Sequence, residues 1–107
     1  MTAIVDYNRI QALGKSEEVI NLEPFARRII DFGWAVKEIN GHNFTEIENS
    51  LSQSLATGKP SCIIARTVKG KGLRNMENMV SCHYQCVPDG ELEEAYRELG
   101  VEYADCV

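Results

Sequence analysis

No apolar run in this 107-residue chain approaches the roughly 20 residues that a bilayer-crossing helix needs, so a transmembrane segment is excluded. The N-terminus lacks a basic segment followed by a long apolar one, so no secretory leader is expected and a cytoplasmic location follows by default. Basic residues are in deficit. Eleven Lys and Arg against sixteen Asp and Glu give a net charge of −5. No surplus exists to neutralise phosphates, so neither nucleic acid nor a membrane is expected as a partner. Cys62, Cys82, Cys86 and Cys106 are not read as a disulfide framework, because nothing points to secretion and reduced thiols are expected. Cys82, His83 and Cys86 raise a zinc reading, but no second close pair of ligands exists, and none is expected. Walker spacing, internal repeats and low-complexity segments are also missing.

What is present is a mixture of 44% hydrophobic and 25% charged residues, enough for one globular domain. Ala3 to Asp6 reads as a first strand, apolar without alternation and so buried on both faces. A long connection follows from Tyr7 to Glu23. Pro24 opens a first helix with Phe25, Ile29 and Phe32 on one face, widened by Ala26 and Ile30, and Gly33 closes it. Arg27, Arg28 and Asp31 form its solvated side. Trp34 to Ile39 is a second strand. Asn43 caps the next helix, with Glu46 placed for a reciprocal bond and Phe44, Ile47, Leu51 and Leu55 as its apolar stripe. Gly58 and Pro60 end that helix, and Ser61 to Ala65 is a third buried strand. A second long irregular stretch, Thr67 to Val87, carries a helical turn at Met76-Glu77-Asn78. Asp89 then caps a last helix with Glu91, Glu93 and Glu94 in its first turns, Leu92, Ala95, Tyr96 and Leu99 buried, and Gly100 as its stop.

The alternation of strands and helices predicts an α/β fold: a three-layer open parallel sheet with right-handed crossovers and helices on both faces. Ligands of such sheets bind at the C-terminal strand ends. Asp6, Asn8 and Gln11 stand where the first strand breaks into polar residues. Their oxygens, and a backbone carbonyl freed by the turn, are hard donors suited to Mg²⁺ or Ca²⁺. His42, beyond the second strand, reads equally as a turn residue and as a ligand neighbour. The glycines of Thr67-Val68-Lys69-Gly70-Lys71-Gly72 allow backbone to approach a ligand.

The run Ile4-Val5-Asp6-Tyr7-Asn8-Arg9-Ile10-Gln11 resembles the second half of the thiamine diphosphate motif of transketolases. The likeness continues in order through Phe32-Gly33-Trp34, Gly41-His42-Asn43, Lys59-Pro60, Thr67 to Gly72, Met76-Glu77-Asn78 and His83. It is nearest to the N-terminal section of split, two-subunit members. The resemblance implies half of a thiamine diphosphate-binding fold over residues 1–100, with residues 101–107 as a tail. It implies thiamine diphosphate and Mg²⁺ as cofactors, and Asn8 with the backbone carbonyl of Ile10 as metal ligands. Lys69 and Gly70 would border the diphosphate, and His83 would work beside both cofactor and substrate as the catalytic residue. Tyr84 stands where the family has glycine.

The family's Gly-Asp-Gly aspartate does not occur in this sequence, nor does the domain that activates the pyrimidine ring. The resemblance therefore implies a part of an enzyme that moves a two-carbon ketol unit between sugar phosphates, inactive by itself. Its expected partners are the missing transketolase sections or a companion subunit, the sugar phosphate substrates, and further copies in a dimer or larger assembly. The alternatives are a truncated, non-catalytic interaction module derived from a transketolase, another thiamine enzyme such as deoxyxylulose-phosphate synthase, and a small flavodoxin-like domain for another phosphate ligand.

Overall fold

The computed structural model describes residues 1–54 and 58–102. They fall into two compact units, one made of Met1–Arg9 and Ser16–Thr67, the other of Ile10–Lys15 and the described residues from Val68 on.

The first unit is built on a parallel sheet of three strands, β1 (Thr2–Tyr7), β4 (Ala35–Asn40) and β5 (Ser61–Arg66), in the order β1-β5-β4. Ser61 pairs with Thr2 on one side and Ala35 on the other, so all three strands run in register to a common C-terminal edge. β5 is central, and its unalternating Ser-Cys-Ile-Ile-Ala run is buried throughout, as a strand covered on both faces requires. Helix α2 (Phe25–Asp31) covers one face. There Phe25, Ala26 and Ile29 join Val5, Trp34 and Val36 around Tyr7, Cys62 and Ile64. Helix α3 (Phe44–Ser54) serves the other face, where Ile47 packs on Ile39, Ile63 and Ala65. The expected α/β architecture is therefore present, with helices on both faces of a parallel sheet.

Several local expectations need correction. β1 is not buried on both faces: it pairs with β5 on one side, and Ile4 is 60% exposed on the face away from α2. Phe32 and Ile30 do not belong to the buried face of α2. The helix ends at Asp31, Phe32 leaves its track as the C-cap, and both side chains are exposed. Gly33 closes α2 as expected, with φ +88 and its N–H on the Ile30 carbonyl.

In α3 Ile47 packs on the sheet and Ser50, three residues on, is buried, while Phe44 (87%) and Leu51 are exposed. Ser50 can be buried because its hydroxyl donates to the Glu46 carbonyl at 2.6 Å and leaves no polar group unmet. Leu55 lies outside the described residues. Asn43 caps α3 through its Oδ1, which accepts from Glu46 N–H at 3.2 Å. The return bond comes from the Asn43 side chain, whose Nδ2 donates to Glu46 Oε1 at 3.1 Å, and Glu46 Oε2 also accepts from the Asn40 N–H at 2.8 Å.

The connection after β1 is not a structureless loop. It contains a hairpin, β2 (Ile10–Gln11) with β3 (Gly14–Lys15), and a single helical turn, α1 (Ser16–Val19). In the second unit, 3₁₀ turns occur at Val80–His83 and Asp89–Glu91. Asp89 thus begins a 3₁₀ turn rather than capping the last helix, α4 (Leu92–Leu99), whose N-cap is Glu91. Leu99 is exposed, and Gly100 stops the helix in the left-handed region at φ +67. Cys106 and most of the expected tail, residues 103–107, lie outside the described residues.

Candidate functional site

At the C-terminal edge of the sheet, β1 delivers Asp6, Tyr7 and then Asn8. Tyr7 turns toward α2, and its ring stacks on Phe25 at 5.4 Å between centroids and 9° between planes. The guanidinium carbons of Arg66 and Arg9 lie 5.3 and 6.0 Å from the Tyr7 centroid, within cation–π range. Tyr7 Oη donates to Glu23 Oε1 at 2.9 Å, and the Phe25 N–H donates to Glu23 Oε2 at 3.0 Å. The Phe25 amide, followed by the Tyr7 hydroxyl, holds the Glu23 carboxyl below its usual range. Burial first, then the Glu23 contact, pushes the Tyr7 phenol up, so it stays a neutral donor. Tyr7, Arg9, Glu23 and Arg66 line a cleft of about 380 Å³ with Ser16, Glu17, Asn21 and Leu22. Arg66 donates through Nε to Glu38 at 2.7 Å, and its Nη1 is buried with no hydrogen-bond partner among the described residues.

On the opposite side of β1, Asp6 Oδ1 accepts from the hydroxyl of Thr67, the first residue after β5. Asn8 is half-buried. Arg9 follows it with φ +62, a left-handed value costly for a non-glycine residue, and its carbonyl accepts from Ser16 N–H at 2.8 Å. His42 sits exposed in the turn after β4, its N–H on Asn40 Oδ1 at 3.0 Å.

The other expected site residues belong to the second unit. Ile10 pairs with Lys15 in the β2–β3 hairpin. The Lys69 carbonyl accepts from Asn78 N–H at 2.8 Å, with Asn78 itself left-handed at φ +59. Gly70 has φ +73, and a Cβ there would fall 2.3 Å from the Met76 carbonyl oxygen, so only glycine fits. Glu77 closes the same loop by accepting from Lys71 Nζ at 3.0 Å and Gly72 N–H at 3.3 Å. His83 ends its 3₁₀ turn exposed to solvent, beside an exposed Tyr84.

The family described as transketolase, thiamine diphosphate binding domain, matches residues 1–106. This chain belongs to the transketolase family. Among its relatives, the 6-deoxy-6-sulfo-D-fructose transketolase subunit SqwG of Clostridium sp. (strain MSTE9) is 37% identical over 105 residues, covering 97% of this chain and 38% of that one. An apulose-4-phosphate transketolase subunit of Phocaeicola vulgatus is 38% identical over 100 residues, covering 92% of this chain and 36% of that one. A crystal structure of transketolase from Campylobacter jejuni superposes with a TM-score of 0.88 at 29% identity, over 95% of this chain and 16% of that one. The chain thus spans little more than a third of the subunit relatives it matches.

Among the described residues no three His, Cys, Asp or Glu side chains gather where they could hold a metal. The expected donors, the Asn8 amide oxygen and the Ile10 carbonyl, are neutral. They would leave charge on the ion for a diphosphate to complete. Sequence reasoning missed Thr67 and Gly41 at the strand ends, and Glu23 and Arg66 around Tyr7. Thr67 and Asp6 are 61 positions apart, and no local pattern reports a contact of that range.

Proposed function

We propose that this chain is the C-terminal half of the thiamine diphosphate-binding domain of an enzyme that moves a two-carbon ketol unit between sugar phosphates. Turnover is expected only from a protein that also carries the remaining parts of that domain. The observation that carries the reading is the family match along residues 1–106, in which Asn8 directly follows the C-terminal end of a parallel strand. Asn8 and the Ile10 carbonyl hold Mg²⁺. Lys69 places a cation toward the diphosphate, and the glycine conformation at Gly70 keeps that stretch of backbone slim. His83 moves protons near the reacting sugar, a task suited to an imidazole that can donate from one ring nitrogen and accept at the other. Thiamine diphosphate, when bound, supplies the carbanion chemistry, and the protein supplies grip, orientation and proton transfer.

The subunit names of two relatives support a companion chain that provides the remaining domains, in an assembly that is a dimer or larger. The test is calorimetric titration of Mg²⁺ with thiamine diphosphate into the chain, alone and with the remaining transketolase sections added. Binding is expected only in the completed assembly, and Asn8→Ala should weaken it at least about tenfold, the loss of one metal-ligand contact. No binding by a folded, completed assembly would overturn the cofactor role and favour a non-catalytic interaction module.

A further inference from the structure

We propose that Asp6, Thr67 and Gly41 form a clasp across the C-terminal ends of the three strands, and that this clasp is the positioning device for Asn8. The inference rests on the reading of Asn8 as a metal ligand.

Each strand contributes one part. Asp6 belongs to β1, Thr67 follows β5, and Gly41 follows β4. The Thr67 hydroxyl donates to Asp6 Oδ1. Its methyl lies against Gly41: a Cβ on that glycine would come 2.4 Å from Thr67 Cγ2, 3.0 Å from the Ala65 Cβ and 3.2 Å from the Arg66 carbonyl oxygen. Gly41 does not have a positive φ, so space and not backbone conformation selects the glycine. Its N–H donates to that Arg66 carbonyl at 2.8 Å, prolonging the β4–β5 ladder by one rung. Threonine thus uses both branches of its side chain, the hydroxyl on one edge strand and the methyl on the other.

The consequence falls on β1. This strand has one neighbour, β5, and its last paired residue is Tyr7. Beyond that residue the β1–β5 ladder ends, and Asn8 stands between it and the Arg9 carbonyl that the Ser16 N–H holds. Tyr7 is secured on the α2 side by Phe25 and Glu23. The Asp6 carboxylate secures the other side, one residue before Tyr7 and two before Asn8. The strand end is therefore held from both faces immediately before the proposed ligand. A metal ligand needs such outer support, because its own oxygen must be presented at a fixed place.

The two branches can be separated in the chain completed with the remaining transketolase sections. Thr67→Val keeps the methyl and loses the donor. Thr67→Ser keeps the donor and loses the methyl. Asp6→Asn keeps an acceptor, and Asp6→Ala does not. The readouts are the calorimetric Kd for thiamine diphosphate with Mg²⁺, and amide hydrogen exchange at residues 6–9 without cofactor. Thr67→Val and Asp6→Ala should each raise the Kd about three- to tenfold, the scale of one hydrogen bond. The double variant should be no worse than either alone, because both remove the same bond. Asp6→Asn and Thr67→Ser should stay within about twofold of wild type. Faster exchange at residues 6–9 should accompany each loss.

Unchanged affinity in Thr67→Val, alongside a weakened Asn8→Ala, overturns the clasp while the metal-ligand reading stands. Additive losses overturn it as well. Unchanged affinity in Asn8→Ala shows instead that the metal-ligand reading is wrong, and the positioning role falls with it.

Discussion

The two units of this chain solve the same problem by different means. Every side chain that is buried among the described residues lies in the first, from Tyr7 and Ile39 to the whole run Ser61–Ala65. The second buries none to that degree. It is shaped by polar closures: Asn78 N–H on the Lys69 carbonyl, Glu77 on Lys71 and Gly72, Glu98 accepting from Arg74 N–H at 2.8 Å, and Cys82 Sγ against the Met76 carbonyl at 3.0 Å. Apolar burial is non-directional and large, so the first unit is held by bulk packing. Hydrogen bonds are directional and individually small, so the second depends on backbone geometry at a few positions. Most of the expected cofactor-facing residues fall in the unit with the thinner core, as befits loops that adapt to a ligand.

The contrast can be broken most forcefully at Ile64, which is 1% exposed at the centre of β5. Ile64→Ala should cost about 2–5 kcal/mol, from lost transfer energy and the cavity left behind. Urea denaturation followed by the fluorescence of the single tryptophan, Trp34, reads the loss directly. A loss below about 1 kcal/mol would mean that this core relaxes around cavities and is not closely packed.

A middle-sized effect is expected at Gly70. Gly70→Ala should cost about 1–3 kcal/mol, since the new Cβ meets the Met76 carbonyl in a left-handed backbone. Faster amide exchange at Lys69 to Asn78 is the signature. Unaltered exchange there would show that polar closure does not define this loop.

The smallest effect is electrostatic. The folded-state pKa of Glu23 is lowered, so its contribution to stability is complete above the unfolded carboxyl pKa. It is lost as pH falls through the lowered folded value. Wild type should therefore lose denaturation midpoint on acidification below the ordinary carboxylate range, and Glu23→Gln should show a shallower loss over that window. Parallel profiles would remove Glu23 from the account of the first unit.

Much of this fold was legible in the sequence, and the failures have physical causes. β5 was readable because a doubly covered central strand carries an unbroken apolar run. Gly33 and Gly100 were readable because helix stops demand a left-handed residue. The apolar stripe of α3 was misread because Phe44, Ile47 and Leu51 share a helical period with Ile47 and Ser50, and periodicity cannot say which of two overlapping faces meets the sheet. The β2–β3 hairpin escaped notice because two-residue strands are too short to alternate. At the site, Asn8 and the Lys69-Gly70 loop stood out through local chemistry and resemblance. The pairings Asp6–Thr67 and Tyr7–Glu23 did not, because only the folded sheet brings them together.

Ser50 shows what kind of information α3 carries. Its hydroxyl is answered within its own helix, so the neighbouring strands register only how little room it takes. A substitution there is filtered by bulk and hardly by polarity: alanine passes, while valine or leucine would need room at a fully buried position. In this layer the smallest side chain sets the gauge, and the larger apolar ones fit the spacing that it leaves.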